Sequence, residues 1–228
     1  MSSPPVVAID GPSGSGKSTT ARGVGSRLGL PVLDTGAMYR AVTLAVLEAD
    51  IDPSDPGIQE RVADIARESA IVLEGGSTHL GGRDVSAEIR GPAVTSAVSA
   101  VAANAAVREV LVARQRAWVD EHGGGVVEGR DIGTVVFPHA QVKVHLVARD
   151  DERARRRQQE EVSARREVHV DDVRESIAER DRKDSTRAVS PLRVADDAMV
   201  IDTSTRTVDD VVDEIVARFE SAEAGEDL

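Results

Sequence analysis

Short apolar runs alternate with longer amphipathic stretches along most of this chain. The runs have the length and the Val, Ile and Leu content of strands that are buried on both faces. The stretches between them repeat apolar residues every three or four positions, as amphipathic helices do. This alternation predicts an α/β fold, a five-stranded parallel sheet with helices on both faces. The predicted strands lie at 6–9, 31–34, 126–128, 142–147 and 198–202.

The helical periodicity predicts where these strands are connected. The first helix begins at about Lys17, and Gly29 is placed to end it. A single long helical region should run from Pro92 to His122, with Val107, Leu111, Arg114 and Trp118 on one stripe. A closing helix should bury Val208, Val211, Ile215 and Phe219. Further helices are predicted over 36–50, 57–68 and, with heavy charge, 150–183.

The stretch 70–90 departs from this alternation. Its short β-like pieces are separated by glycine pairs at 75–76 and 81–82. Such punctuation is typical of tight turns between antiparallel strands. We therefore predict a small antiparallel insert in place of another parallel-sheet unit.

Residues 11–18, GPSGSGKS, fit the pattern G-x-x-x-x-G-K-[ST] at every position between a predicted strand and a predicted helix. Glycines let successive backbone N–H groups point inward at anionic oxygens, and the helix start adds its own N–H groups. Lys17 should reach the β and γ phosphates, and the Ser18 hydroxyl should ligate Mg²⁺. The motif predicts nucleoside triphosphate binding, although ATPases, GTPases and kinases all share it.

Composition and motif content argue against several other classes of protein. The 228 residues contain no cysteine, which excludes disulfides and thiolate chemistry. The net charge of −12 argues against binding a nucleic acid polymer, and no apolar run approaches the ~20 residues that span a bilayer. The only asparagine, Asn104, is followed by Ala105, so the guanine-reading N-K-x-D motif of switch GTPases is absent. We expect a cytoplasmic monomer that binds no membrane.

Four further polar clusters indicate a second anionic ligand. They are LDTGAMYRA at 33–41, VVEGRDIGT at 126–134, DERARRR at 151–157 and ERDRKDSTRAVSP at 179–191. Ligands of open α/β sheets bind at the carboxyl ends of the strands, where two of these clusters begin. Phosphoryl transfer needs cations that spread the charge of the transition state. A kinase of another small molecule, of the shikimate or gluconate type, and a non-catalytic nucleotide-binding module are the alternatives.

Together, GPSGSGKST, LDTGAMYRA, GRDIGTVVFP and RDRKDSTRAVSPL resemble the bacterial cytidylate kinase family over about 6–219. The resemblance implies in-line transfer of the ATP γ-phosphoryl group to CMP or dCMP with Mg²⁺, giving ADP and CDP or dCDP. It implies a P-loop core over 1–56, 98–152 and 171–221 and a monophosphate-binding domain with a β insert over 57–97. It also implies an arginine-rich lid over 153–170, and we expect a flexible acidic tail over 222–228.

The resemblance also implies roles for individual residues. ATP would be held by Gly11, Pro12, Ser13, Gly14, Ser15, Gly16, Lys17, Ser18, Thr19 and Arg156. The catalytic residues would be Lys17, Arg130, Arg153 and Arg157. The acceptor phosphate would contact Arg40, Arg130 and Arg187, the cytosine would contact Ser99, Arg108 and Asp131, and the ribose would contact Arg180 and Asp184.

Two implied positions depart from the family's usual residue. Thr35, in the acceptor site, stands where the family often has serine, and it keeps the hydroxyl group. Glu128 stands where related kinases often have aspartate, so a longer carboxylate would hold a water on Mg²⁺. Ser18 would contact the metal that ATP brings.

Overall fold

The computed structural model describes residues 4–163 and 169–225. Contacts divide the chain into two compact units, named here the core unit (1–32 and 119–228) and the insert unit (33–118). The strands are β1 Val6–Asp10, β2 Val32–Asp34, β3 Ile71–Glu74, β4 Ser77–Leu80, β5 Arg83–Asp84, β6 Gly125–Gly129, β7 Val142–Val147 and β8 Met199–Asp202. The helices are α1 Lys17–Leu28, α2 Thr35–Glu48, α3 Gln59–Glu68, α4 Pro92–Ala103, α5 Ala105–His122, α6 Asp150–Ser163, α7 Val170–Thr186 and α8 Val208–Ala224.

The main sheet has five strands in the order β2-β6-β1-β7-β8. β1 pairs in parallel with both β6 and β7, and β7 pairs in parallel with β8. Every residue of β1 and β6 is buried, as the continuous apolar runs predicted. The α/β class and the five-stranded parallel sheet are thus confirmed, with strand bounds within one residue of those predicted.

Helices α1 and α8 pack on each other and on the sheet of the core unit. Their buried cluster includes Val24, Val211, Ile215 and Phe219. Gly29 adopts a left-handed conformation with φ 67° and ends α1, as predicted. Val208 was predicted on the buried stripe but is 45% exposed, because it is the first residue after the Thr207 cap. Val212 is buried in the cluster instead.

The insert unit contains the predicted antiparallel sheet, with β4 between β3 and β5. Helix α2 packs against α3, α4 and β4. The small core of this unit is formed by Ala37, Ala41, Val85 and Ile89. The unit is wider than the domain predicted over 57–97, because α2, α4 and α5 belong to it as well.

The single helix predicted from Pro92 to His122 is wrong, because the chain bends by 94° between α4 and α5. Asn104 lies at the bend in an extended conformation, and its Oδ1 accepts hydrogen bonds from Ala106 N at 3.0 Å and Val107 N at 3.2 Å. A side chain that caps the next helix satisfies amides which a continuous helix would bond internally. The buried stripe of α5 then continues through Gln115 and Val119 in place of Arg114 and Trp118.

The charged region predicted over 150–183 forms α6 and α7, which pack on each other. The part of the predicted lid at 164–168 lies outside the described residues. Helix α8 extends to Ala224, beyond the predicted start of the tail at 222, and 226–228 also lie outside. Among the described residues no single helix is long and apolar enough to cross a membrane, although the bent pair α4 and α5 passes by length and composition.

Replacing Asn104 should destabilise the insert unit. Asn104 is 6% exposed, caps α5 and donates from Nδ2 to Gln59 O at 2.8 Å. Asn104→Ala should therefore lower the free energy of unfolding by about 2 kcal/mol in urea titrations. Ser96→Ala on α4, which removes an exposed hydroxyl bonded to Ala93 O, is the matched control and should cost less than about 0.5 kcal/mol. Equal losses in both variants would contradict the capping role.

Candidate active site

The glycine-rich loop 11–18 connects β1 to α1 within the core unit. Gly11 and Gly14 have φ values of 149° and 76°, a region that disfavours other residues. A Cβ atom on Gly11 would lie 2.3 Å from Leu146 O, and one on Gly14 would lie 2.8 Å from Arg153 O. The loop therefore lies directly against the end of β7 and the first turns of α6, which only glycine permits.

Lys17 is buried in the first turn of α1, and its Nζ donates a hydrogen bond to Pro12 O at 2.6 Å. Burial, followed by the charge of Arg130, lowers the pKa of this ammonium to about 7, while the charge of Glu128 acts in the opposite direction. A buried ammonium in this position is stabilised by an anion at close range. The loop thus combines a buried cation with glycine-rich backbone at the start of a helix, and backbone N–H groups in such a place suit phosphate oxygens.

Oxygen donors meet beside the loop. Ser18 Oγ donates to Glu128 Oε2 at 2.9 Å, which joins the start of α1 to the end of β6. Mg²⁺ prefers such oxygen ligands and usually takes one or two from the protein, with the rest from phosphates and water. The pair therefore fits the predicted metal position. Thr19, also predicted to contact ATP, is exposed on the first turn of α1.

Arg153, predicted as a lid residue, is buried against the loop. Its guanidinium donates to Ser13 O at 3.0 Å, to Asp150 at 2.6 Å and to Asp181. The other oxygen of Asp181 accepts from Ser13 N at 3.0 Å. Arg153 and Asp181 thus bind the backbone C=O and N–H groups of Ser13, respectively. Asp181 lies within the cluster 179–191, but nothing in the sequence distinguished it from its charged neighbours.

Arg156 also reaches the loop, through Thr203. It donates to Thr203 Oγ1 at 2.9 Å and to Thr203 O at 2.6 Å. Thr203 Oγ1 in turn donates to Ser15 O at 3.0 Å. Arg157 forms ion pairs one helical turn away on α6, with Glu160 at 2.8 Å and Glu161 at 2.7 Å. Of the three predicted lid arginines, Arg153 therefore bonds to the loop directly and Arg156 bonds to it through Thr203.

The Gly-Arg-Asp cluster (129–131) begins at the last residue of β6 and meets residues from α7 and its C-terminal end. Arg130 Nε lies 3.0 Å from Asp184 Oδ2, and Arg187 lies 3.3 Å from Asp131 Oδ1. Arg180 lies 4.0 Å from Asp184. Burial, followed by the charge of Arg130, lowers the pKa of Arg180 to about 10. Five predicted acceptor residues are therefore brought together, two at 130–131 and three within 180–187.

The other predicted acceptor residues belong to the insert unit. Arg40 donates to Ile89 O and to Thr95 Oγ1, both at 2.9 Å. Arg108 on α5 lies over the ring of Tyr39 at 5.5 Å, so Tyr39 is a cation–π partner as well as a packing residue. Thr35 is buried at the start of α2, and Ser99 is half-buried on α4.

Sequence reasoning missed two buried ionisable groups near this site. His145 on β7 was assigned no role, yet burial and the charges of Lys17 and Arg130 lower its pKa. Asp10 directly follows the predicted strand 6–9 and carries no predicted role, but its carboxylate binds the backbone just after Asp131. A carboxylate directly after an apolar run, at the carboxyl end of a predicted strand, was the available signal.

Comparison with known proteins agrees with this geometry. The family model described as Cytidylate kinase matches residues 7–221. The chain belongs to the cytidylate kinase family. A cytidylate kinase from Mycolicibacterium paratuberculosis is 51% identical over 216 residues, covering 94% of this chain and 95% of that protein. One from Corynebacterium efficiens is 49% identical over 219 residues and covers 95% of both chains.

A solved structure shares the fold alone. It is an uncharacterised protein from Eubacterium ventriosum, with a TM-score of 0.51 and 13% identity. The match covers 95% of this chain and 99% of that one. The family assignment therefore depends on the sequence matches, which extend over nearly the whole chain and include all four motifs.

The lowered pKa of Lys17 predicts a pH-dependent stability. Between about pH 7 and 10.5 the unfolded chain keeps a proton that folded Lys17 has released, so folding becomes more favourable as pH rises. Lys17→Met lacks this effect. The free energy of unfolding of the native chain relative to Lys17→Met should therefore increase between pH 7 and 10, measured by urea titration followed by circular dichroism.

The control for this measurement is Lys183→Met, which removes an ammonium whose side chain is 53% exposed on α7. Its difference from the native chain should stay flat over the same pH range. A difference for Lys17→Met that is equally flat, or that moves in the opposite direction, would contradict the burial of the Lys17 charge.

Proposed function

We propose that this chain transfers the γ-phosphoryl group of ATP to CMP or dCMP, giving ADP and CDP or dCDP. An oxygen of the acceptor phosphate forms a bond to the γ-phosphorus as the bond to the β–γ bridging oxygen breaks. The observation that carries the proposal is the pairing, within the core unit, of a complete phosphate loop with the Gly-Arg-Asp cluster at the end of the adjacent strand β6. Membership of the cytidylate kinase family supports the same reaction.

On the donor side, the loop 11–18 holds the triphosphate through its backbone N–H groups and the start of α1. Lys17 binds the β and γ phosphates, and an anion at this position restores the ammonium that burial disfavours. Arg153 and Arg156, already joined to the loop through Ser13 and Thr203, add positive charge beside the transferred group. Arg157 completes the set of lid cations.

Ser18 and Glu128 would hold Mg²⁺, the first directly and the second through a water molecule. Their oxygens are 2.9 Å apart and fit a hard cation that takes its remaining ligands from phosphate. When bound, the ion supplies charge neutralisation and a fixed orientation for the triphosphate. Glu128 also acts to raise the pKa of Lys17, so this carboxylate offsets part of the loss of charge that burial favours.

On the acceptor side, Arg130 and Arg187 bind the acceptor phosphate, Asp131 reads the cytosine, and Arg180 and Asp184 contact the ribose. The ion pairs of Arg130 with Asp184 and of Arg187 with Asp131 orient these groups before substrate arrives. In the insert unit we assign Arg40 to the acceptor phosphate, Thr35 to the acceptor site, and Ser99 and Arg108 to the base.

We further propose that the enzyme acts in the cytoplasm, a reducing compartment in keeping with a sequence that lacks cysteine.

A panel of acceptors tests the proposal directly. ADP release from ATP and Mg²⁺ is measured in a coupled assay with CMP, dCMP, UMP, AMP and GMP, and with shikimate and gluconate as acceptors of the other kinase classes. We expect kcat/KM for CMP or dCMP to exceed that for AMP and GMP by at least about tenfold, since base-edge hydrogen bonds discriminate strongly. Equal turnover of AMP, UMP and CMP would refute the cytosine assignment. Absence of turnover with every acceptor would favour a non-catalytic nucleotide-binding module.

Asp131→Asn should separate acceptor recognition from donor binding. The change removes a carboxylate that pairs with Arg187 and that we assign to the base, so kcat/KM for CMP should fall on the order of 100-fold. The KM for ATP should change less than about twofold. Asp213→Asn, which breaks an Arg27–Asp213 pair at 2.9 Å on the exposed surface, is the matched control. A uniform loss toward both substrates would refute the role of Asp131 in base reading.

A further inference from the structure

Asp10 makes an unusual pair of contacts for a residue at the end of a central strand. Its side chain is buried, with 5% of the residue exposed. Oδ1 accepts a hydrogen bond from Ile132 N at 2.8 Å, and Oδ2 accepts one from Gly133 N at 2.8 Å. One carboxylate thus holds two successive backbone amides that lie more than 120 positions away in the sequence.

These amides belong to the segment that follows the Gly-Arg-Asp cluster. Ile132–Val136 forms a single π-helical turn, in which Asp131 O accepts from Val136 N at 3.2 Å and Ile132 O accepts from Phe137 N at 2.7 Å. Turns of this wide type occur frequently at functional sites. The bonds from Asp10 fix the backbone one residue after Asp131 and two residues after Arg130. The directions of those two side chains therefore depend on where Asp10 holds the turn.

Burying the Asp10 carboxylate has a desolvation cost that packing contacts alone do not offset. Burial raises the pKa of Asp10 and the hydrogen bonds from Gly133 and Ile132 lower it, with a net pKa of about 6. At neutral pH the group is therefore a buried carboxylate, which is destabilising unless hydrogen bonds replace its water. The turn lies close to both neighbours, because a Cβ at Gly133 would lie 3.4 Å from Asp10 Oδ2 and 3.3 Å from the Lys143 side chain.

Asp10 also immediately precedes Gly11, the first residue of the phosphate loop. The same residue therefore ends the strand that leads into the donor site and binds the turn that carries Arg130 and Asp131. β1 and β6 are paired here, with Asp10 opposite Gly129. The Asp10 side chain thus links the start of the loop to the turn after the Gly-Arg-Asp cluster, in addition to the pairing of β1 with β6.

We infer that Asp10 is a positioning residue for phosphoryl transfer, because its carboxylate fixes the turn that aims Arg130 and Asp131 at the acceptor. It does so through the backbone amides of Ile132 and Gly133. The inference rests on the proposed function for the roles of Arg130 and Asp131. The link between Asp10 and the turn is an observation independent of that proposal.

Asp10→Asn tests the inference. An amide offers one acceptor oxygen, so its NH₂ group would face the N–H of Ile132 or Gly133 and one bond would be lost. We expect the KM for CMP to rise about tenfold or more and kcat to fall, with the KM for ATP within about twofold of the native value. Asp210→Asn is the matched control, since Asp210 accepts a backbone bond from Thr207 N at 3.3 Å at the exposed start of α8. It should leave both KM values unchanged.

Gly133→Val provides a second variant that keeps the carboxylate. Its Cβ would already lie 3.4 Å from Asp10 Oδ2 and 3.3 Å from the Lys143 side chain, so the two further methyl groups would overpack this contact, displace the turn and again raise the KM for CMP selectively. If Asp10→Asn does not fold, this variant decides the question. Loss of thermal stability in either folded variant, with both KM values within twofold of native, would overturn the inference and leave Asp10 as a structural residue.

Failure of the proposed function would have a different result. In that case the native chain itself would not phosphorylate CMP, whatever the variants do. The amide resonances of Ile132 and Gly133, compared between the native chain and Asp10→Asn by NMR, would then report the positioning link alone. A clear displacement of both resonances and of the Asp131 resonance supports the link, and unchanged resonances refute it.

Discussion

Buried positive charge at the carboxyl ends of β1 and β6 is the constraint on which the rest of the core unit depends. Lys17, Arg130 and Arg180 are close enough that Arg130 lowers the pKa of each of the other two. Desolvated like charges are costly, and carboxylates such as Glu128 and Asp184 offset part of that cost. In the proposed reaction the substrate phosphates supply the remaining counter-charge, so the electrostatics that destabilise the site without ligand favour its ligands.

Helix α7 positions these charged groups, because it binds both the phosphate loop and the Gly-Arg-Asp cluster. Asp181 binds the phosphate loop at Ser13, and Asp184, almost one turn later, binds Arg130. Arg187, just past the end of the helix, pairs with Asp131. The loop and the Gly-Arg-Asp cluster are therefore held by one rigid element as well as by Asp10. The opposite face of α7 carries exposed surface pairs such as Lys183 with Glu179, the solvated pattern that a charged helix usually shows.

The main failures of sequence reasoning concern local interactions that periodicity does not record. The helix predicted through residue 104 breaks there because the Asn104 side chain caps α5 and binds Gln59, a contact formed only on folding. Arg114 and Trp118 fit the apolar stripe by spacing. Arg114 instead donates to Ser69 O at 2.8 Å, while Gln115 is fully buried. A repeat of 3.6 residues defines a face, but neighbouring elements decide which edge of that face is covered.

The amino-acid sequence by itself determined the strand and helix order, the antiparallel insert and the phosphate loop, because these follow from backbone geometry and short-range patterns. The four motifs also carried the family resemblance. Only the tertiary structure decided which charged residues meet. It joins Asp181 to Ser13, Arg156 to Thr203 and Asp10 to the turn after Asp131. Such contacts depend on burial and on strand register, which place distant residues within a few ångströms of each other and change their pKa values. No local sequence pattern encodes burial or register.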